Sequence, residues 1–466
     1  MTGEIARQLR SRLAAVSSRG QLGIQAGWIM APFAFQQVTR LVTNIVLARM
    51  LAPEMFGLML VVNTLRTGAE LLSDIGIGQS VVRAKREPDS AFLNTAWSLQ
   101  LIRGALLTIL TLAIARPVSA IYGTDLEPII LVVSVVFLIG GLNSPALFMM
   151  QRNLQLKRRA ALDVLCTLIQ CVLTIGLAFI IPSVWALVWG LVISVAISTI
   201  LGYIISRGHV PRFALHRAHV WEIVHFGKWI FLATAIYFAA SSTDKAFFAA
   251  VLPMVVVGVY SVARTFSDMS ALLAQRLGAF LVFPKVASLR GQLQAAQGRI
   301  RQARRMALSL AALGLGVGIA ASDAFIVILY DERYHAAAFM LPLLLVGTWF
   351  AVLANFSESM LLGCDRPAPG AFANATKFAI LASGLPLSLA WFGLAGSLLV
   401  LALAECCRWL VLSRALVRER LAFFFSDLTL TVLFLGGGVI LKLALSAAGL
   451  VPDFDQWWAL GRDLHA

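Results

Sequence analysis

The sequence predicts an all-α polytopic membrane protein. It is read as two six-helix lobes related by a pseudo-two-fold axis along the membrane normal, plus about one extra C-terminal helix. Three observations carry this. Of 466 residues, 59% are hydrophobic and 13% charged, and the mean hydropathy is +0.85. A soluble domain is about 45–50% apolar and roughly 25% charged, so the surplus here needs lipid as its solvent. The basic residues crowd into alternate connections between apolar runs, and the two halves of the chain match in a single register.

A bilayer core takes about 20 apolar residues per helix. Windows of that size place spans near 23–47, 56–82, 94–115, 127–149, 160–182, 184–206, 221–248, 254–280, 306–330, 337–363, 370–391, 393–414 and 428–449. Residues 1–22 precede the first lobe (23–206), 207–220 join it to the second (221–414), and 450–466 form a short tail. In that tail Trp457, Trp458 and Leu460 suit an interfacial anchor. The N-terminus lacks a short apolar core followed by an A-x-A site, so the first span is expected to serve as its own insertion signal.

The formal net charge of +15 would raise nucleic-acid binding in a soluble protein. Here its distribution argues for topology. With the N-terminus inside, inside segments hold 24 Lys and Arg, whereas outside segments hold four: Arg49, Arg116, Arg333 and Arg462. Cytoplasmic loops carry the excess of Lys and Arg. The N-terminus is therefore expected in the cytoplasm and, with an odd span count, the C-terminus outside. No polyanionic nucleic acid is needed to explain the charge. Two inside stretches are amphipathic: Ile5, Leu9, Leu13 and Val16 among arginines, and Val286, Leu289, Leu293, Ala296 and Ile300 ahead of Arg301, Arg304 and Arg305. Both read as helices on the lipid surface. The five cysteines (Cys166, Cys171, Cys364, Cys406, Cys407) form no C-x-x-C pair and read as small apolar side chains.

Shifting the chain by 201 residues superposes Trp28-Ile29 on Trp229-Ile230, Ala48 on Ala249, Leu51 on Leu252 and Gly57 on Gly258. Val61, Thr64 and Leu71-Leu72 fall on Val262, Thr265 and Leu272-Leu273. Spans 1 and 2 thus land on spans 7 and 8. Six spans per unit make the halves parallel repeats, and duplicated halves around a midplane site are a common transporter plan.

Ten basic residues fall within or at the edges of spans. A charge at the bilayer centre costs roughly 2.5–3.5 kcal/mol even on insertion scales, so these side chains need water, a partner or the membrane surface. Span 1 carries Gln36, Gln37, Arg40, Thr43 and Asn44 on one face, and span 7 carries Tyr237, Ser241, Asp244 and Lys245 at the shifted positions. Span 2 carries Asn63, Arg66, Thr67, Glu70 and Asp74, and span 8 carries Arg264, Ser267, Asp268 and Gln275. The pattern predicts a water-accessible cavity lined by these four spans. Candidate substrate contacts are Gln37, Arg40, Asn44, Arg66, Lys245 and Arg264. Candidate proton or ion sites are Glu70, Asp74, Asp244 and Asp268. A guanidinium suits phosphate because its planar fork donates two parallel hydrogen bonds. The competing reading makes Arg66 with Glu70, and Arg264 with Asp268, i,i+4 pairs that serve only as structural glue. Lys228, Lys377, Arg408 and Lys442 are read as snorkelling to an interface.

The stretch Leu47-Ala48-Arg49-Met50-Leu51-Ala52-Pro53-Glu54-Met55-Phe56-Gly57 resembles the first outside loop of bacterial polysaccharide-repeat flippases, as does Leu72-Ser73-Asp74-Ile75-Gly76-Ile77-Gly78-Gln79-Ser80 with Val81 to Arg86 after it. Phe226-Gly227-Lys228-Trp229-Ile230-Phe231 and Val257-Gly258-Val259-Tyr260-Ser261 look like the start of that family's second half. The resemblance is to the colanic-acid type of Wzx flippase in the multidrug/oligosaccharidyl-lipid/polysaccharide exporter superfamily. It departs after Asp244-Lys245, where Phe247-Phe248-Ala249-Ala250-Val251 lacks the Gly and Arg of the family's Leu-Gly-Arg turn.

The resemblance implies translocation of undecaprenyl-pyrophosphate bearing an oligosaccharide repeat unit across the bacterial inner membrane. Membrane lipids and the polymerase and export machinery of the same pathway would be its partners. No cofactor is implied, and no Walker-type Gly-Lys-Ser/Thr loop is present, which leaves coupling to protons, sodium or the membrane potential open. A drug/cation antiporter of the same superfamily is the nearest alternative, and would favour an acidic, aromatic-rich cavity. A membrane glycosyltransferase or O-antigen ligase would need a sizeable outside loop or an acidic dyad. The longest outside connection is about a dozen residues, so no enzyme is expected.

Overall fold

The computed structural model describes residues 30–449 apart from 85–86, 124, 207–210 and 290–292. The expected N-terminal surface helix, the Trp457-Trp458 anchor and the side of the C-terminal tail lie outside the described residues. So does the side chain of Lys228. Every described element is a helix: α1 (30–50), α2 (Pro53–Leu72), α3 (Ile77–Arg83), α4 (Ser90–Tyr122), α5 (Glu127–Gly141), α6 (Ala146–Arg152), α7 (Leu156–Ile180) and α8 (Val184–Ser206). The second half contributes α9 (Arg217–Val251), α10 (Met254–Leu277), α11 (Phe283–Ser288), α12 (Leu293–Leu329), α13 (Ala337–Gly363), α14 (Ala368–Arg418) and α15 (Phe424–Ala447). Helices close their own backbone hydrogen bonds, which lipid requires of any crossing segment. Among the described residues nine helices are long and apolar enough to cross a membrane, ten if the bent pair α5–α6 counts as one.

Local chemistry explains most boundaries. Pro53 opens α2, where its missing N–H costs nothing. The Asp89 side chain accepts from the Phe92 N–H at 2.8 Å and caps α4. Within α14, Gly393 takes φ 62°, a conformation only glycine adopts freely, and the chain reverses. Ser388 then meets Ser397 at 3.2 Å and Lys377 meets Glu405 at 2.6 Å across the hairpin. One continuous helix is thus two passes, as the separate spans 370–391 and 393–414 anticipate.

Five expectations need correction. The second span does not run to residue 82: α2 stops at Leu72, Asp74 turns the chain by accepting the Gly76 N–H at 2.9 Å, and Gly76 stands at φ 67° before α3. The fourth span ends at Gly141 and bends 59° into α6. The ninth begins earlier than expected, so residues 293–305 extend α12 and do not form a separate surface helix. Arg304, assigned to an inside loop, is buried, with its guanidinium 2.6 Å from the carboxylate of Asp427. Nor do Lys377, Arg408 and Lys442 snorkel. They pair with Glu405, Glu358 and Asp323 at 2.6, 2.7 and 2.9 Å, because a buried cation needs a counterion more than a helix end can supply.

These pairs also fix directions. Arg304 and Asp323 on α12 meet Asp427 and Lys442 on α15 in the same order, so α12 and α15 run parallel. α2 and α10 cross reciprocally: a Cβ added at Gly57 would overlap the Met254 carbonyl, and one at Gly258 would overlap the Pro53 carbonyl. Gly57 and Gly258, like Pro53 and Met254, are 201 residues apart.

Candidate functional site

A cavity of about 730 Å³ lies between the two halves. α1 and α2 reach it through Gln36, Gln37, Arg40, Thr43, Asn44, Asn63, Arg66 and Thr67, and α9 and α10 through Ser242, Lys245, Ser261, Arg264 and Asp268. Helical spacing explains the first set, since positions three, four and seven apart share a face. Two further helices complete the wall: α7 with Thr167, Gln170, Cys171 and Thr174, and α8 with Leu187 and Leu191. Sequence reasoning missed them because α7 carries hydroxyls and an amide in place of charges, and α8 contributes only leucines.

The charges divide into tied and free. Asp268 accepts from the Lys245 ammonium at 3.0 Å and lies 3.0 Å from Arg264 Nε. Arg264 also faces Asp244 at 3.5 Å. Asp244 is 1% exposed and outside the lining, and the Tyr260 hydroxyl donates to it. Arg66 is held by Glu70 at 2.8 Å, one turn on. Arg103 in turn donates to the Ser73 hydroxyl at 2.9 Å and to the Glu70 carbonyl, pinning the end of α2. Arg40 differs: it lines the cavity, it is exposed, and it makes no hydrogen bond or ion pair among the described residues. Seven of the ten sequence-predicted residues therefore converge on the cavity. Asp244 stands behind Arg264, Glu70 beside Arg66, and Asp74 in the turn after α2.

One end of the cavity is sealed. The loop after α12 folds over the end of α1, where the Tyr330 hydroxyl donates to Asn44 Oδ1 at 2.8 Å and the Tyr334 hydroxyl to the Leu51 carbonyl at 3.1 Å. Arg49 donates to the carbonyls of Ile328 and Leu329, both at 3.2 Å, and Arg333 to those of Ala48 and Arg49 at 3.3 and 3.4 Å. Each arginine thus satisfies the open carbonyls at the other helix's C-terminus, where the dipole favours a cation.

A family model described as "Polysaccharide biosynthesis protein" matches residues 46–338, more than half of the chain. The chain belongs to this family. The matched stretch runs from the end of α1 to the start of α13 and so includes all of α2, α7, α9 and α10. The chain is similar to the lipopolysaccharide biosynthesis protein WzxC of Escherichia coli (strain K12), 23% identical over 70% of this chain and 66% of that protein. It is also similar to the teichuronic acid biosynthesis protein TuaB of Bacillus subtilis (strain 168), 22% identical over 64% and 62%. It spans a little under two thirds of the length of these curated relatives. Its fold is that of the lipid II flippase MurJ in an inward closed conformation, with a TM-score of 0.71 at 12% identity over 90% of this chain and 98% of that one. The family thus combines a polysaccharide pathway with a multi-pass membrane fold, as the resemblance in its sequence implies.

Proposed function

We propose that this protein is a flippase that carries undecaprenyl-pyrophosphate-linked oligosaccharide repeat units from the inner to the outer leaflet of the bacterial cytoplasmic membrane. The observation that carries the proposal is Arg40, a cation in a membrane-embedded cavity that makes no hydrogen bond or ion pair among the described residues. Such a charge is costly unless it meets water or an anion, and a planar guanidinium can hold a phosphate by two hydrogen bonds. The cavity volume is in the usual range of ligand sites, roughly 300–1,000 Å³. The names of the relatives place them in polysaccharide pathways and, for the structural neighbour, in lipid flipping.

With the N-terminus in the cytoplasm, the end sealed by Tyr330, Tyr334, Arg49 and Arg333 faces outward. The two halves then rock so that the cavity opens to each side in turn, while the polyprenyl tail stays in the bilayer. An ion used for coupling would meet Asp268, which of the four candidate acids is the one lining the cavity. Lys245 and Arg264 are neutralised in place, so substrate recognition by charge rests first on Arg40. The test is polymer export in the host cell. Arg40→Gln should abolish export while the protein remains inserted, and export at the wild-type level would refute the proposal.

A further inference from the structure

The two facing walls of the cavity occupy equivalent positions in the 201-residue repeat, yet their chemistry differs. Asp244, Lys245, Arg264 and Asp268 correspond to Thr43, Asn44, Asn63 and Thr67. Each charged group in the second half has a neutral amide or hydroxyl as its counterpart in the first. The second-half quartet is spent on its own ion pairs. Among the described residues of the first-half wall only Arg66 is paired in this way, with Glu70. Thr43 is committed to the Thr39 carbonyl and Cys171, and Asn44 to Tyr330. Gln36, Gln37, Asn63, Thr67 and Gln170 line the cavity with side chains that make no hydrogen bond among the described residues.

Three free carboxamides from glutamines, one from asparagine and a free hydroxyl therefore face the same space as Arg40. A carboxamide presents two donors and an acceptor, and a hydroxyl presents both functions. A sugar hydroxyl or acetamido group does the same, so the surfaces match without either carrying charge. Polar groups in a membrane-embedded site are costly unless a ligand or water satisfies them. A site built to hydrogen-bond a ligand's hydroxyls discriminates strongly against a ligand lacking them, because its own groups are then left unpaired.

We propose that the first-half wall, with Asn63, Thr67 and Gln170 at its centre, is a glycan subsite that takes the uncharged, hydroxyl-rich sugar adjoining the phosphate held at Arg40. The inference rests on the flippase proposal and extends it, assigning sugar and phosphate to different groups of one wall. It also gives a role to α7, which carries Gln170 but no ion-paired cavity residue.

The experiment measures binding of two probes of equal charge to the full-length protein in detergent: geranyl pyrophosphate methylated on its terminal phosphate, and the same compound bearing N-acetylglucosamine there. The wild type should bind the glycosylated probe at least tenfold more tightly. Asn63→Ala and Gln170→Ala should each reduce that ratio several-fold without weakening the methyl ester, whose retained binding reports an intact fold, and Asn63→Gln should restore part of it. Arg40→Gln should weaken both probes alike. Equal affinities in the wild type, or wall variants that weaken both probes equally, would overturn the glycan subsite and leave the phosphate proposal standing. Failure of both probes to bind would overturn both.

Discussion

Gly57 of α2 and Gly258 of α10 meet at a crossing so close that neither position has room for a methyl group. A Cβ on either would occupy backbone carbonyl space of the opposing helix, Met254 in one direction and Pro53 in the other. The crossing lies beside the sealed end of the cavity. Gly258→Ala should force the helices apart at a cost of about 1–3 kcal/mol, the range for overpacking a tight interior. Thermal unfolding in detergent should show a lowered Tm. Gly314→Ala, at a helical glycine with open space around it, should leave Tm unchanged.

The Arg304–Asp427 pair fastens α15 to α12 at one end. Arg304 also donates to the Ser357 hydroxyl at 3.1 Å, and the Trp409 indole N–H reaches Asp427 at 3.4 Å. Asp427→Asn should destabilise the protein by about 3–5 kcal/mol, because it strands a buried guanidinium. The double variant Arg304→Met with Asp427→Leu should recover most of that loss, since paired replacement by apolar groups removes both desolvation penalties. Chemical or thermal unfolding of the three proteins checks the order.

Tyr330 and Asn44 join the two halves over the sealed end by a single hydrogen bond of 2.8 Å. Tyr330→Phe keeps the ring packed against Phe266 and Tyr334 and deletes the bond, a loss of about 0.5–1.5 kcal/mol. That should shift the open-to-closed ratio several-fold toward the open form. Spin labels at Ala52 and Glu332 should report a larger population at long distances in the variant than in the wild type.

Arg264 and Arg40 should separate stability from recognition. Arg264→Gln leaves Asp244 buried with the Tyr260 hydroxyl as its remaining partner, so it should lower the Tm by several degrees. Arg40→Gln removes a cation that makes no hydrogen bond or ion pair among the described residues, so it should leave the Tm near the wild-type value while impairing export. A thermal scan and an export assay on both variants check the contrast.

Much of this was legible in sequence because polar residues in an apolar chain are conspicuous. Gln37, Arg40, Asn44, Arg66, Lys245, Arg264 and Asp268 stand out by helical spacing, and all seven reach the cavity. What spacing along one helix cannot show is which way a face turns once helices pack. Arg304 sits beside loop arginines in sequence, but the α12–α15 contact rotates it onto Asp427. Arg408 reaches Glu405 by i,i+3 spacing on one pass, but only the hairpin at Gly393 brings Lys377 from the other pass to the same carboxylate. The break at Gly76 was hidden inside an apolar window, where a left-handed glycine changes the backbone without changing hydropathy. The α7 contribution was hidden for the opposite reason: Thr167 and Gln170 are uncharged and belong to no repeat match.

The central claim is tested most directly in proteoliposomes containing the purified protein and a short-chain polyprenyl-pyrophosphoryl sugar with a fluorescent group on the sugar. A membrane-impermeant quencher reaches probe in the outer leaflet only. Vesicles with the wild-type protein should lose nearly all fluorescence, whereas those with Arg40→Gln should stop near half, as protein-free vesicles do. Quenching that stops near half with the folded wild-type protein, both with and without an imposed proton or sodium gradient, would contradict the account.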